Sequence, residues 1–153
     1  MKISKKYSYD YWDGKRKFGY GGYKYDGRQR VIAEAMAKHY GIKSGDRILD
    51  VGCGKGYLLY EFTQVVPGTE IVGIDVSEYA LENAKEEVRA TLQVGSAVDL
   101  PFADDAFDLI ICAQVIEHVV ARDRLLAEMR RVLAPGGVAV LTTPNACIRL
   151  EPG

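Results

Sequence analysis

The stretch DVGCGKG, residues 50–56, joins an apolar run with the pattern of a strand to an apolar run with the pattern of a helix. Gly52, Gly54 and Gly56 carry no Cβ, so the backbone can turn sharply there and a ligand can approach the peptide groups closely. The helix that follows presents free N–H groups and the positive end of its dipole. The pattern therefore predicts a loop that holds a cofactor at the end of a strand.

The spacing of this loop excludes two common types of glycine loop. A dinucleotide-binding fingerprint needs glycine at its sixth position, which Tyr57 occupies here. A phosphate-binding P-loop needs a glycine five residues before its Gly-Lys pair and a serine or threonine after it. Leu49 and Gly56 stand at those two positions. What remains is an acid-x-Gly-x-Gly-x-Gly pattern.

Outward from the loop, helical and strand periodicities alternate along the chain. Strands are predicted at 47–51, 70–74, 91–94, 107–113 and 138–143. Four helices are predicted: at 27–40, between the glycine loop and Pro67, after Ser77, and at 122–133. Ser77 is the expected N-cap of the third helix, in which Ala84 and Val88 should face inward. Because parallel strands with helical crossovers must be connected with the right hand, the fold class is α/β, a doubly wound Rossmann-like parallel sheet of about five strands.

The glycine pattern resembles the first motif of class I S-adenosylmethionine-dependent methyltransferases. Residues 73–77, Gly-Ile-Asp-Val-Ser, resemble the second motif, whose acid accepts hydrogen bonds from the ribose hydroxyls. Asp75 lies 23 residues beyond Gly52, near the spacing of about 20 expected for an acid on the neighbouring strand. The alternative is that Asp75 only caps the next helix.

Residues 95–102 resemble the third motif of the same family, in which an acid contacts the adenine amino group. Ser96 replaces that acid, so the contact passes to its hydroxyl, to backbone or to Asp99. The resemblance implies S-adenosylmethionine as the cofactor. The residues that it implies for cofactor binding are Asp50, Gly52, Cys53, Gly54, Gly56, Asp75, Val76, Ser96, Ala97, Gln114 and Tyr20.

The segment after the fourth strand, Gln-Val-Ile-Glu-His-Val at 114–119, resembles small-molecule O- and C-methyltransferases of the quinone-biosynthesis type. His118 is the candidate catalytic base, because imidazole can accept a proton near neutral pH; the alternative is that it only packs beside the cofactor. Some relatives have an acid where this chain has Gln114, so we predict no metal site. The Asn/Asp-Pro-Pro-Tyr signature of enzymes that methylate nucleic-acid amino groups is absent here.

Residues 1–26 form a basic, aromatic N-terminal arm ahead of a domain at 27–153. Residues 1–30 carry a balance of +6, whereas the rest of the chain carries −7. The first interpretation of the arm is a lid over the cofactor. Packing on the surface or in a homodimer contact is the second, and stacking on nucleic acid is the third, against which the slightly acidic net charge of −1 argues.

Other features bound the class of protein. The three cysteines form no C-x-x-C pair, so neither a disulfide framework nor a zinc site is indicated, and we expect a cytoplasmic protein. No apolar run reaches the length of a membrane span. We also expect that nothing in residues 144–153 supplies the two final strands of the family, which would make this a shortened form.

The resemblance implies a methyltransferase that acts on a hydroxyl or carbon of a small molecule, with anionic and sugar-related acceptors as candidates. A sugar-related acceptor comes from a looser resemblance of residues 19–25 to methyltransferases of cell-surface sugar biosynthesis. Two alternatives remain: a non-catalytic domain that binds S-adenosylmethionine, and a nicotinamide-binding Rossmann oxidoreductase.

Overall fold

The computed structural model describes residues 7–15, 22–144 and the backbone of 146–150. Its helices are α1 (Tyr9–Trp12), α2 (Gln29–Tyr40), α3 (Tyr57–Val65), α4 (Glu78–Glu82) and α5 (Arg122–Val132). Its strands are β1 (Arg47–Val51), β2 (Glu70–Asp75), β3 (Leu92–Val94), β4 (Phe107–Ala113), β5 (Leu133–Thr143) and β6 (Ala146–Leu150). Short 3₁₀ turns occupy Arg89–Thr91 and Ile116–His118.

The strands form one sheet in the order β3-β2-β1-β4-β5-β6. The first five are parallel, which confirms the doubly wound α/β fold. The sixth pairs antiparallel with β5, so the expectation that residues 144–153 supply neither of the two final strands was wrong for one of them. The chain turns back after Thr143 and satisfies the open edge of β5, which would otherwise present unpaired backbone groups.

Two predicted boundaries differ from the structure. The helix after Ser77 ends at Glu82, yet Ala84 and Val88 are buried as expected, because the turns that follow still face the core. Strand β5 begins at Leu133, so the Ala-Pro-Gly-Gly stretch that was expected to precede the strand lies within it. The pairing of β5 with β4 shifts register at this stretch.

The sheet is covered on both faces. One face carries a core that includes Ile48, Phe62 and Ile111, packed beneath α2, α3 and the N-terminal arm. The other carries Leu49, Ile110, Leu125 and others beneath α5. The near-continuous apolar sequence of β4 follows from this burial on both faces.

Val31 and Ile32 belong to the apolar spacing that predicts the inward side of α2, but the helix buries a different side. Ala33 and Ala37 are buried, whereas Val31 is 70 % exposed. Small residues allow α2 to approach α3 closely, and this close approach decides which side is buried. Within the described residues, no helix is long and apolar enough to cross a membrane.

Candidate cofactor and active site

The glycine loop has the backbone conformation that its sequence requires. Gly52, Gly54 and Gly56 have φ angles of 80°, 55° and 77°, in the left-handed region that side chains disfavour. A Cβ on Gly52 would lie 2.3 Å from Cγ2 of Val115, and one on Gly54 would lie 2.8 Å from the Trp12 ring. Backbone conformation and tight packing therefore both require glycine at these positions.

Asp75 ends β2 beside the glycine loop and connects two elements. Its carboxylate accepts hydrogen bonds from the backbone N–H of Gly54 and of Ser77, each at 2.8 Å. Through Ser77, Asp75 accepts a hydrogen bond at the start of the next helix, which was the alternative role predicted for it. Asp75 also lines the cavity described below. A carboxylate can accept about four hydrogen bonds, so it keeps capacity for a ligand.

Asp50 lies beneath the loop and is only 5 % exposed. Burial, together with the nearby charge of Asp75, raises its pKa to about 8. Burial also raises the pKa of Asp75, although backbone N–H groups counteract part of this effect. Cys53 beside them is buried, and burial holds its thiol protonated by raising its pKa well above the ordinary value. The site thus holds two carboxyl groups where the charged form is disfavoured.

A cavity of about 370 Å³ opens at the carboxyl ends of the parallel strands. This is where ligands bind in open α/β sheets, at the point where the strand order reverses between β1 and β4. Its volume lies in the range of pockets for small ligands. Seven of its lining residues were singled out from the sequence: Gly52, Asp75, Val76, Ser96, Ala97, Gln114 and His118.

The end of the cavity beyond β4 carries strained backbone. Gln114 has a φ of 57°, which is uncommon for a residue other than glycine, and its N–H donates to the carbonyl of Thr142. Such conformations cost of order 1 kcal/mol and concentrate at functional sites. His118 follows in the 3₁₀ turn, where its Nε2 lies 3.8 Å from Oε1 of Glu117. The turn presents the imidazole at the cavity wall.

The N-terminal arm supplies aromatic residues to the same cavity. Tyr7, Tyr11 and Trp12 line it. The Tyr7 ring meets the edge of the His118 ring at a centroid distance of 6.0 Å. The sequence predicts an aromatic lid, but Tyr20, the residue expected to contact the cofactor, lies outside the described residues. The clustering of aromatic residues at 7–12 was the signal that could have identified these three instead.

The remaining predicted cofactor residues lie behind the cavity wall. Asp50, Cys53, Gly54 and Gly56 shape the loop and do not line the cavity. Asp108, at the other end of β4, pairs with Arg47 and does not line the cavity. Within the described part of the chain, no three His, Cys, Asp or Glu side chains cluster as a metal site would require.

The cavity fits an adenosyl cofactor by its chemistry. It offers a carboxylate at the end of β2 for paired hydroxyls, a glycine backbone at the end of β1, and small residues, Ser96 and Ala97, after β3. The topology and this site together define a Rossmann-like protein that binds a nucleoside cofactor. Residues 42–151 match the family model described as a methyltransferase domain, and the chain therefore belongs to that methyltransferase family.

Individual proteins support this assignment. A demethylmenaquinone methyltransferase of Symbiobacterium thermophilum is 43 % identical over 103 residues, which are 62 % of this chain and 41 % of the relative. The chain thus spans less than half of this relative. A solved structure described as a putative S-adenosylmethionine-dependent methyltransferase of Methanococcus maripaludis shares the fold, with a TM-score of 0.67 at 22 % identity over 74 % of this chain and 54 % of its own.

A third similar protein is described as the [4+2]-cyclase SpnF. It is 29 % identical with a TM-score of 0.64, over 77 % of this chain and 48 % of its own. Membership of the methyltransferase family confirms S-adenosylmethionine, the cofactor that the resemblance of the glycine loop implied. It also overturns the nicotinamide alternative, in agreement with Tyr57 at the position where a dinucleotide fingerprint needs glycine.

Proposed function

We propose that this domain transfers a methyl group from S-adenosylmethionine to a hydroxyl or carbon of a small molecule. The observation that carries the proposal is that one cavity brings together Asp75, the glycine loop and His118. The bound cofactor supplies an electrophilic methyl group on a sulfonium. The protein then needs mainly to orient a nucleophile, and orientation alone can contribute roughly 7–11 kcal/mol.

Each cavity residue has a role in this proposal. Asp75 would accept hydrogen bonds from the ribose hydroxyls, and Val76, Ser96 and Ala97 would hold the base. Gln114 and the backbone of Gly52 would hold the rest of the cofactor. His118 accepts the proton of an acceptor hydroxyl, since it is the basic side chain among the described residues that line the cavity.

An uncharged, largely apolar acceptor suits the described lining better than an anionic one. Tyr7, Tyr11, Val119 and Val120 line the cavity together with His118, and none of its described lining residues is lysine or arginine. The relative from Symbiobacterium thermophilum is a demethylmenaquinone methyltransferase, which supports an aromatic ring as the acceptor of this chain too. Anionic and sugar-related acceptors remain for the test to decide.

Calorimetry with S-adenosylhomocysteine tests the cofactor site. We expect saturable 1:1 binding, with no heat from NADH at the same concentration. Binding of NADH without binding of S-adenosylhomocysteine would contradict the proposal. The full-length protein, if it is longer than this chain, should give the same result, because the lining described lies within residues 7–121.

A second experiment separates an enzyme from a non-catalytic module. The structurally similar cyclase shows that this fold does not guarantee methyl transfer. Labelled S-adenosylmethionine would be incubated with quinols, phenols, sugars and aromatic acids. Label in a quinol or phenol supports the proposal, and this activity should fall about 100-fold in His118→Ala. Cofactor binding with no labelled product from any class would favour the module.

We also propose a cytoplasmic location. Cys53 and Cys112 are buried and unpaired, and burial raises the pKa of the Cys112 thiol to about 12. Such thiols behave as small apolar side chains and persist in a reducing compartment. Fractionation of the native host with a redox-sensitive reporter fused to the chain would check this location.

A further inference from the structure

The described part of the N-terminal arm, residues 7–15, lies on the glycine loop and forms one wall of the cavity. Trp12 is 6 % exposed, and its ring lies so near Gly54 that no Cβ could fit between them. Its Nε1 donates to Oγ of Ser77 at 3.1 Å and to the carbonyl of Tyr7 at 3.0 Å. The Ser77 hydroxyl also donates to that carbonyl. The aromatic wall of the cavity therefore depends on contacts between the arm and the residues around the cofactor loop.

Lys55, inside the glycine loop, points away from the cavity and into the arm. Its side chain is 5 % exposed, and its Nζ lies 2.8 and 2.7 Å from the two carboxylate oxygens of Asp13. The same Nζ donates to the carbonyl of Tyr23 at 2.7 Å. An ammonium group has three donors, so these contacts satisfy it fully. Lys55 is therefore a structural cation of the arm contact and not a residue that holds a phosphate.

Asp13 is the centre of this contact. Besides Lys55, it accepts from the hydroxyl of Tyr79 at 2.7 Å and from the backbone N–H of Tyr23 at 2.9 Å. Although partial burial raises the pKa of Asp13, these hydrogen bonds bring it below its ordinary value. The carboxylate of Asp13 thus connects the glycine loop, α4 and Tyr23.

We propose that Asp13, Lys55 and Tyr79 form a latch that positions the arm over the cofactor cavity and so sets the affinity for cofactor. They are positioning residues, because they act through Tyr7, Tyr11 and Trp12. Opening the arm would leave the buried ammonium of Lys55 without its carboxylate, which favours the closed arrangement strongly. When the arm is closed, its aromatic residues form the cavity wall. The apparent affinity for cofactor therefore rises with the fraction of molecules whose arm is closed.

The position of Lys55 couples the latch to the cofactor site. It lies between Gly54, whose N–H donates to Asp75, and Gly56, the N-cap of α3. Trp12 binds Ser77, whose N–H binds the other oxygen of Asp75. A displaced arm therefore alters the surroundings of the ribose-binding carboxylate at two points. An ordinary surface ion pair would lack such a connection.

The test uses Asp13→Asn and the fluorescence of Trp12, the single tryptophan of the chain. Asparagine has nearly the same shape but removes the charge. We expect the Kd for S-adenosylhomocysteine to rise about tenfold, as loss of one charged hydrogen bond predicts. The Trp12 emission should shift to longer wavelength, and acrylamide should quench it more strongly, while far-ultraviolet circular dichroism stays unchanged.

Asp108→Asn is the matched control. Asp108 also pairs with a cation, Arg47, at 3.1 Å, but at the opposite end of the strands. We expect it to lower the melting temperature without changing the Kd or the Trp12 emission. A purely structural role for the latch would instead give the two variants the same small stability loss and the same unchanged Kd. That result would overturn the proposal.

Tyr79→Phe provides a milder variant if Asp13→Asn does not fold. It removes one hydrogen bond to Asp13 and keeps the ring contact with Tyr9. We expect a two- to threefold rise in Kd and a smaller emission shift in the same direction; an unchanged Kd would overturn the latch.

The inference rests on the proposed cofactor site, and the parent protein distinguishes failure of the latch from failure of the proposed function. A parent that does not bind S-adenosylhomocysteine contradicts the proposed function, whereas a parent that binds with variants unchanged contradicts only the latch.

Discussion

The acidic side chains at the two ends of the central strands have different surroundings. At the amino end, Asp108 pairs with both the side chain and the backbone N–H of Arg47, and the two side chains are partly exposed. At the carboxyl end, Asp50 and Asp75 are 5 % and 8 % exposed. Neither forms an ion pair with a lysine or arginine in the part of the chain that the structure describes. The amino end compensates its carboxylate with an ion pair, whereas the carboxyl end holds two carboxyl groups where burial disfavours the charged form, and one of them, Asp75, lines the cavity.

Positive φ angles occur at both ends of the strands. The loop after β1 holds three glycines with positive φ, and β4 is followed by Gln114 with a φ of 57°. At the amino end, Gly45 also has a positive φ, but a Cβ there would meet nothing within 4 Å. Gly68, also at the amino end with a φ of 92°, is tightly packed, because a Cβ there would lie 2.1 Å from Oγ of Ser44. The two ends therefore differ in how they compensate their carboxyl groups, and at the carboxyl end the strained residues belong to the loop and wall of the cavity.

Removing Asp75 should have the largest effect on function. Asp75→Ala should raise the Kd for S-adenosylhomocysteine at least about 100-fold, because two hydrogen bonds to a charged acceptor are lost. It also leaves the N–H groups of Gly54 and Ser77 without their acceptor. Asp75→Asn is the matched variant, since it keeps an acceptor oxygen and should bind better than Asp75→Ala. Calorimetry measures both; parental affinity in Asp75→Ala would refute the ribose assignment.

Replacing one glycine at each end should separate the cost of an unfavourable φ angle from the cost of a steric clash. Gly52→Ala should lower the free energy of unfolding by about 2–4 kcal/mol, since its Cβ would meet Val115 at 2.3 Å in addition to the unfavourable φ. Gly45→Ala, with a φ of 89° and open space, should cost only about 1 kcal/mol. Urea unfolding compares the two. Equal losses would mean that packing against Val115 contributes nothing.

The buried carboxyl of Asp50 should make stability depend on pH. Its pKa is raised to about 8 in the folded protein by burial and by Asp75, against about 3.9 unfolded. The folded state therefore binds the proton more tightly. The contribution of this proton to the free energy of unfolding is complete below pH 4 and is lost as the pH rises towards 8.

Asp50→Asn should remove that dependence. We expect the variant to be more stable than the parent at pH 8, by about 1 kcal/mol or more, and the difference should shrink towards pH 4. Thermal unfolding between pH 4 and pH 8.5 measures it. A parent whose stability rises with pH over this interval, with the variant parallel to it, would contradict the assignment of Asp50 as a buried neutral carboxyl.

The smallest effect should come from the amino end. Asp108→Asn should lower the free energy of unfolding by about 0.5–1 kcal/mol, the range for partly exposed ion pairs. Cofactor affinity should stay within twofold of the parent value, because Asp108 lies outside the cavity lining. Urea unfolding and calorimetry on the same preparation give both numbers. A loss of affinity without a loss of stability would erase the contrast between the two ends.

Much of the fold could be predicted because its signals are local. The strand Phe107–Ala113 and the loop glycines follow from short patterns of burial and backbone freedom. The cavity residues Asp75, Ser96 and His118 follow from motifs at strand ends. The inward side of α2 could not be predicted, because Val31 and Ile32 have the apolar spacing while the smaller Ala33 and Ala37 allow the close contact.

The sequence by itself determined the order of the elements, the cofactor loop and the carboxylate that follows the next strand, since each depends on a few adjacent residues. Tertiary structure alone decided that Lys55 pairs with Asp13, 42 residues away, and that Trp12 covers Gly54. It also decided that residues 146–150 extend the sheet as β6. These contacts join distant segments, so their energies exist only once the sheet and its two faces have formed.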